Sequence, residues 1–281
     1  MIILAATPIG NLGDASRRLI EALGSATVIA SEDTRTTIHL MRALGIDNRP
    51  RLIAMHEHNE TQKAAELVEL ARDADVLVLS DAGMPAISDP GYPLVAAAVA
   101  AGVTVTALPG PSAVLTALAV SGLPTDRFTF EGFLPRKGRV GYFAGLAREP
   151  RTMVFFESPN RLPAALADLV SALGEERAVV VCRELTKLHE EIVRGRAADV
   201  AAHFSGGARG EIVLIVGRAE VTASDLPTAI AEVLALVAAG ARLKAAAAEV
   251  ADATGLSRRE LYEAALRARP GNVTRSGGPV L

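Results

Sequence analysis

Tryptophan is absent from the 281 residues, aromatic side chains make up only 4% of them, and there is a single cysteine. That one thiol, Cys182, excludes any disulfide within the chain and fits a reducing compartment. No opening segment joins basic residues, an apolar stretch and a small-residue cleavage site, and the longest apolar runs break well before a bilayer is spanned. A cytoplasmic location is therefore expected. Histidines and cysteines do not fall at ligand spacing, so no metal is expected. An excess of cations is lacking too: the formal charge is −3, and any polyanion must be met by a local patch. Residues 134–151 offer one, with Arg136, Lys137, Arg139, Arg148 and Arg151 against Glu149; a solvated charged loop and helix is the alternative.

What the chain does have is 50% hydrophobic residues in an ordered pattern, enough for more than one core. Five short β-branched runs are each followed by a helical segment: IILAA and ASRRLIEAL, TVIA and TTIHLMRAL, RLIAM and TQKAAELVELA, DVLVL and YPLVAAAVAA, VTVTAL and SAVLTALAV. Such units predict a parallel sheet covered on both faces, and the continuously apolar strands agree. SGLPTDRF (121–128) reads as a hinge, after which RFTFEGF, TMVFF, AVVVC, EEIVRG and EIVLIV, with unevenly placed helices, predict a mixed sheet. Beyond Val221 strand signals vanish, and KAAAAEVADATG followed by SRRELYEAALRAR has the outline of a helix-turn-helix with Ser257 as an N-cap. The expected fold class is thus α/β: a parallel-sheet domain over 1–120, a mixed-sheet domain over 121–220 and a small helical region over 221–281. The tail PGNVTRSGGPVL is expected to be mobile.

In an open parallel sheet ligands bind outside the carboxyl ends of the strands. Here those exits read TPIGNLGD, SEDTRTT, HEHNE, SDAGMPAISDPG and PGPSA, which hold acids, histidines, an arginine and proline-framed glycines where a turn residue and a cap would suffice. TPIGNLGD, with Glu32 and Asp33 about 20 residues on, resembles a dinucleotide loop. Its Gly10 and Gly13 give GxxG rather than GxGxxG, so a structural turn describes it better. Gly83 lets backbone approach a ligand closely, while Pro85, Pro90, Pro109 and Pro111 fix φ and remove amide donors. A rigid slot of carbonyls, small side chains and Met84 suits an adenosine-and-thioether ligand better than a triphosphate.

These exits, together with GFLPRK (132–137), FFESPNR (155–161), RELTKLHEE (183–191) and GEIVLIV (210–216), resemble in order the small-subunit ribosomal RNA methyltransferases of the tetrapyrrole methylase (class III) superfamily. The resemblance runs from Ile2 to about Val216. It implies S-adenosylmethionine as cofactor, methylation of a cytidine ribose 2′-hydroxyl in 16S rRNA, a homodimer, and two α/β domains with the cofactor in the cleft between them. By carry-over, Pro8, Gly83, Met84, Ile87 and Ser88 line one side with Ser112 and Ala113 beneath, and Leu185, Thr186 and Ile212 close it. Tetrapyrrole-acting relatives carry Gly-Asp-Pro where this chain has Gly83-Met84-Pro85.

An in-line displacement needs the ribose oxygen held behind the methyl carbon and help in losing its proton. Asp81 and Lys187 are the first candidates, followed by Glu157, His56 and His58. Asp81 alternatively caps its own loop, and Lys187 pairs with Glu190 or Glu191. His56 and His58, alternating along an extended segment, should face opposite ways. Arg35, His58, Asn59, Arg136, Lys137 and Arg161 are the candidate RNA contacts; pairing with Glu32 competes for Arg35, and a turn cap for Asn59. Arg258 and Arg259 of the tail remain open between RNA contact and solvent. A small-molecule, precorrin-like acceptor and an inactive nucleotide-binding regulator are the alternatives.

Overall fold

The computed structural model describes residues 1–56, 58–219 and 225–268. The five β-branched runs of the first half form β1 (Ile2–Ala5), β2 (Val28–Ser31), β3 (Arg51–Ala54), β4 (Val76–Leu79) and β5 (Val105–Leu108), all parallel in the order β3-β2-β4-β1-β5. Every side chain of β2 and β4 is buried, as expected of strands covered on both faces. The covering helices are α1 (Arg17–Ser25), α2 (Thr34–Ala43), α3 (Glu60–Asp73), α4 (Tyr92–Ala100) and α5 (Ala113–Ser121). Ser16, Asp33 and Ser112 cap α1, α2 and α5 by accepting from the backbone N–H of Leu19, Arg35 and Leu115. The chain leaves β1 across β4 to reach β2, and leaves β4 across β1 to reach β5. The neighbouring exits of β1 and β4 therefore flank a topological switch point, where an open sheet leaves a crevice.

The second sheet is mixed, as the uneven helix spacing predicts. It comprises β6 (Phe128–Phe133), β7 (Thr152–Glu157), β8 (Ala178–Arg183), β9 (Glu191–Arg196) and β10 (Ile212–Val216) in the order β6-β7-β10-β8-β9, with β6 and β7 parallel and the other pairs antiparallel. Helices α6 (Arg139–Gly145), α7 (Leu162–Leu173) and α8 (Ala197–His203) cover one face, where Phe143, Leu162 and Leu166 pack with Met153, Phe155, Val179, Val181 and Leu214. Alternate residues of the same strands, Val154, Val180, Cys182, Val213 and Ile215, point to the other face. There they meet Ile9 of the first half and Val114, Ala117 and Leu118 of α5. Burial pushes the Cys182 thiol up to about 11, so it behaves as a small core hydrophobe.

Helix α5 thus belongs by sequence to the first sheet and by packing to the second. Arg194 of β9 ties down its end: Nε donates to the Ser121 carbonyl at 3.1 Å and a terminal nitrogen to the Val120 carbonyl at 2.5 Å. A cation at a helix C-terminus serves both the unpaired carbonyls and the helix dipole. Arg194→Ala is expected to cost about 1–2 kcal/mol, the range for hydrogen bonds to a partly exposed charged group, read as a lower urea midpoint at unchanged m-value.

The last helices, α9 (Asp225–Ala238), α10 (Leu243–Thr254) and α11 (Arg258–Ala268), enclose a separate small core of Ala229, Val233, Ala246, Ala247, Val250, Leu261 and Ala265. Between α10 and α11 the chain turns at Gly255 (φ 76°), and the Ser257 hydroxyl accepts from the Glu260 N–H, as expected of a cap. Arg258 pairs with Asp252 and Arg259 with Glu263. Val221 and the segment PGNVTRSGGPVL lie outside the described residues.

Candidate active site

The proline-rich stretch after β4 is stitched to the exit of β1. Thr7 and Gly83 exchange backbone hydrogen bonds of 2.9 and 3.1 Å, and the Ser80 hydroxyl donates to the Gly83 carbonyl at 3.2 Å. Farther along, the Gly91 N–H donates to the Glu60 carboxylate at 2.8 Å. Gly83 holds φ +81°, and Ala86 and Ser88 hold φ 68° and 61°, where residues with a Cβ are rarely found. Across the cleft, Glu184 and Thr186 in the turn after β8 hold φ 52° and 67°. Among the described residues these four are the only non-glycines with positive φ. Strain of this kind persists where surrounding structure over-determines the backbone, commonly at ligand clamps.

Beside the first of these turns lies a cavity of about 440 Å³, within the size range of small-ligand sites. Ile9, Met84, Ile87, Val114, Phe133 and Phe156 supply apolar wall. Glu32, Asp81, Asp89, Glu157 and Glu211 supply carboxylates, and among the described residues no lysine or arginine lines it. This donor set repels phosphate and favours a ligand with an apolar body and a positive centre. Asp81 accepts from the Asp33 N–H at 3.3 Å, and burial raises its pKa above the ordinary value. Asp89 is raised further, to about 6, first by burial and then by the nearby Glu32 carboxylate, with Asp81 adding and a Ser80 hydrogen bond opposing. Glu157 is buried: Oε1 takes the Ser158 N–H at 2.6 Å and the Arg161 guanidinium, while Oε2 has no protein partner among the described residues. A buried acceptor without a partner is rare in folded proteins.

Of the sequence-predicted residues, Asp81, Glu157, Gly83, Met84, Ile87, Ser88, Ser112, Ala113 and Ile212 meet around this cavity. Pro8, Leu185, Thr186 and Lys187 do not line it. Pro8 is buried, Leu185 packs in the interdomain core, and the Thr186 hydroxyl is buried without a hydrogen-bond partner among the described residues. Lys187 pairs with Glu184 at 2.8 Å and Glu211 at 3.1 Å, not with the expected Glu190 or Glu191. Its alkyl chain lies over Gly10, where a Cβ would come within 2.5 Å of it. Burial works against its charge, but the two carboxylates outweigh that and raise its pKa.

Other expectations need correction. His56 and His58 do not face opposite ways: the chain turns there, the His56 carbonyl accepting from Asn59 and Glu60, and the two rings stand edge to face at 6.1 Å. Asn59 spends its side chain on the turn, accepting from His56 N–H and donating to the Ala54 carbonyl. Arg35 pairs with Asp33, not Glu32, and holds that carboxyl down at about 2. In the basic stretch, Arg139 and Arg151 are committed to Asp168 and Glu149, whereas Arg136, Lys137 and Arg148 are exposed. Sequence reasoning passed over Glu32 and Asp89 as site residues; the second Ser-Asp in SDAGMPAISDPG was the available signal for Asp89. No helix among the described residues is long and apolar enough to cross a membrane, and none of their His, Cys, Asp and Glu side chains form a group placed to hold a metal ion.

Two α/β lobes and a carboxylate-lined crevice at a topological switch point define a two-lobed α/β protein with a small-ligand site. Residues 1–201 match the family model of tetrapyrrole (corrin/porphyrin) methylases, and residues 224–269 match that of the RsmI C-terminal HTH domain. Among solved structures, the methyltransferase CobJ superposes with a TM-score of 0.58 at 21% identity, over 79% of this chain and 96% of its own. Uroporphyrin-III C-methyl transferase from Thermus thermophilus, complexed with S-adenyl homocysteine, gives 0.53 at 21% identity over 77% and 96%. Ribosomal RNA small subunit methyltransferase I of Mycobacterium tuberculosis (strain CDC 1551 / Oshkosh) is 50% identical over 282 residues, covering 99% of this chain and 97% of its own. The chain belongs to the ribosomal RNA small subunit methyltransferase I family of the tetrapyrrole methylases.

Proposed function

We propose that the protein methylates the ribose 2′-hydroxyl of a cytidine in 16S rRNA of the small ribosomal subunit, with S-adenosylmethionine as donor, in the cytoplasm. The observation that carries this reading is the cavity's chemistry: apolar walls with a carboxylate rim and, among the described residues, no cation. S-adenosylmethionine supplies a methyl carbon on a positively charged sulfur, which such a rim attracts. A tetrapyrrole acceptor with its own carboxylates would be repelled by the same groups.

The chain's residues then divide the work. Ile9, Met84, Ile87 and Val114 exclude water from the cavity, and the strained loop holds its shape without further reorganisation. Glu157, held by the Ser158 N–H and the Arg161 guanidinium, adds a fixed carboxylate to the cavity wall. Asp89 takes the 2′-hydroxyl proton, since its pKa of about 6 leaves it ionised yet basic near neutrality. Burial, then repulsion from Glu32 and Asp81, keeps it there. The reading is tested by incubating the protein and labelled S-adenosylmethionine with small subunits lacking the modification. Label in an alkali-resistant linkage on a cytidine is expected; label on a base would refute it.

We also propose self-association. Tyr92 and Val99 of α4 and Leu115 of α5 are largely exposed apolar side chains, and edge strand β5 leaves Thr106 and Ala107 open. Sedimentation equilibrium at micromolar concentration should report twice the chain mass, and a monomer would end the proposal.

A further inference from the structure

A second cavity, about 580 Å³ and lined by the second lobe, is separate from the acidic one and opposite to it in charge. It is lined by Asn160, Arg183, Glu191, His203, Phe204 and Arg209, with Gly206, Gly207 and Ala208 forming its floor. Both oxygens of Glu191 are spent, one on Arg183 at 2.7 Å and the other on the His203 ring at 2.9 Å. Arg209 is exposed, and its guanidinium makes no hydrogen bond or ion pair with any described residue. Two guanidinia therefore face one already satisfied carboxylate, in a chain whose formal charge is −3. His203 presents a half-exposed ring, braced edge to face on Phe204 at 4.7 Å and fixed by Glu191.

The two cavities stand back to back. Pro159 lines both, and Arg209 of one adjoins Gly210 of the other. An RNA strand that places a ribose in the acidic cavity can cross this ridge with its next nucleotide. The acidic cavity cannot hold the strand's phosphates, so cations beside it must.

We propose that the Arg183–His203–Arg209 pocket is a second nucleotide subsite, in which Arg209 contacts a phosphate and the His203 ring stacks with the base of a nucleotide flanking the methylated one. This rests on the reading of the protein as an RNA methyltransferase. Single-stranded RNA is commonly gripped in this way, by stacking on flat side chains beside a cationic phosphate contact.

The test compares three proteins on unmodified small subunits: wild type, Arg209→Ala, and Arg72→Ala as a control of equal charge change at the far end of α3. Arg209→Ala is expected to raise KM for the subunit roughly five- to tenfold. It should leave kcat and KM for S-adenosylmethionine unchanged, and lower the slope of log affinity against log salt by about 0.7. His203→Ala should raise the same KM without altering that slope. If wild type labels the subunit but Arg209→Ala keeps its KM and salt slope, or Arg72→Ala shows equal losses, the subsite is overturned. If wild type itself transfers no label to rRNA, it is the underlying reading that fails.

Discussion

Asp89→Asn is expected to lower kcat by roughly 10²–10⁴-fold, the usual contribution of a positioned base, while S-adenosylmethionine still binds. In the wild-type protein kcat/KM should fall as pH drops through about 6, because Asp89 must be ionised to take a proton. The same group makes a second, opposite statement about stability. Its folded-state pKa of about 6 lies above the ordinary 3.8, so the folded protein holds the proton more tightly than the unfolded chain does. That contribution is fully present below 3.8 and is lost as pH rises through 6. The substituted protein should therefore unfold at a higher temperature than wild type at pH 8. A variant more stable at pH 8 and nearly inactive is the signature of a carboxylate kept for chemistry; turnover within a few fold of wild type would remove Asp89 from the mechanism. Asp81→Asn separates the neighbours, since it should shift the acid limb downward by weakening the repulsion on Asp89.

Gly210→Val is expected to weaken both the fold and the cofactor site. Gly210 holds φ +88°, and an added Cβ would lie 2.4 Å from the side chain of Glu184. Glu184 cannot simply move aside. Its Oε1 accepts from the Glu211 N–H at 2.9 Å and from Lys187 at 2.8 Å, and Lys187 in turn covers Gly10 of the other lobe. Left-handed strain costs about 1–2 kcal/mol, and displacing a charge-assisted network adds to it, for a total of roughly 2–4 kcal/mol. Because Gly210 and Glu211 also line the acidic cavity, S-adenosylmethionine affinity should drop at least about tenfold. Gly207→Ala gives the comparison: φ is +91° but nothing lies within 4 Å of the new Cβ, so it should show the strain alone. Equal losses in the two variants, by denaturant titration and calorimetric binding, would mean that the Glu184–Lys187 pair contributes nothing.

What could be read in the amino-acid order depended on how far apart the interacting residues stand. Each strand of the parallel sheet announces itself locally, through a β-branched run and a helix after it, so the architecture and the chemically dense exits were legible. So was the cavity's frame, because Gly83, Met84, Ser88 and Ser112 sit in two proline-braced loops at adjacent exits. Side-chain partners were not. Nearness in the chain favours Glu190 and Glu191 as partners of Lys187, but positive φ at Glu184 and Thr186 accompanies a turn that brings it to Glu211. Histidines 56 and 58 were assigned to opposite faces on strand periodicity, which stops at Ala54 where β3 ends. The basic pocket joins residues from β8, β9, α8 and the loop before β10, a set that no window of sequence contains. The tuning of Asp89 likewise comes from Glu32 across the crevice.

Helix α5 has one more consequence. Because Val114, Ala117 and Leu118 are buried in the core of the second sheet, and Arg194 grips the helix end, parting the lobes would expose that shared interior to water. The enzyme is therefore not a clamshell. Donor and spent by-product must come and go through the mouth of a fixed vessel, so solvent viscosity should slow its catalytic cycle little, in contrast to enzymes whose pace is set by the swing of whole domains.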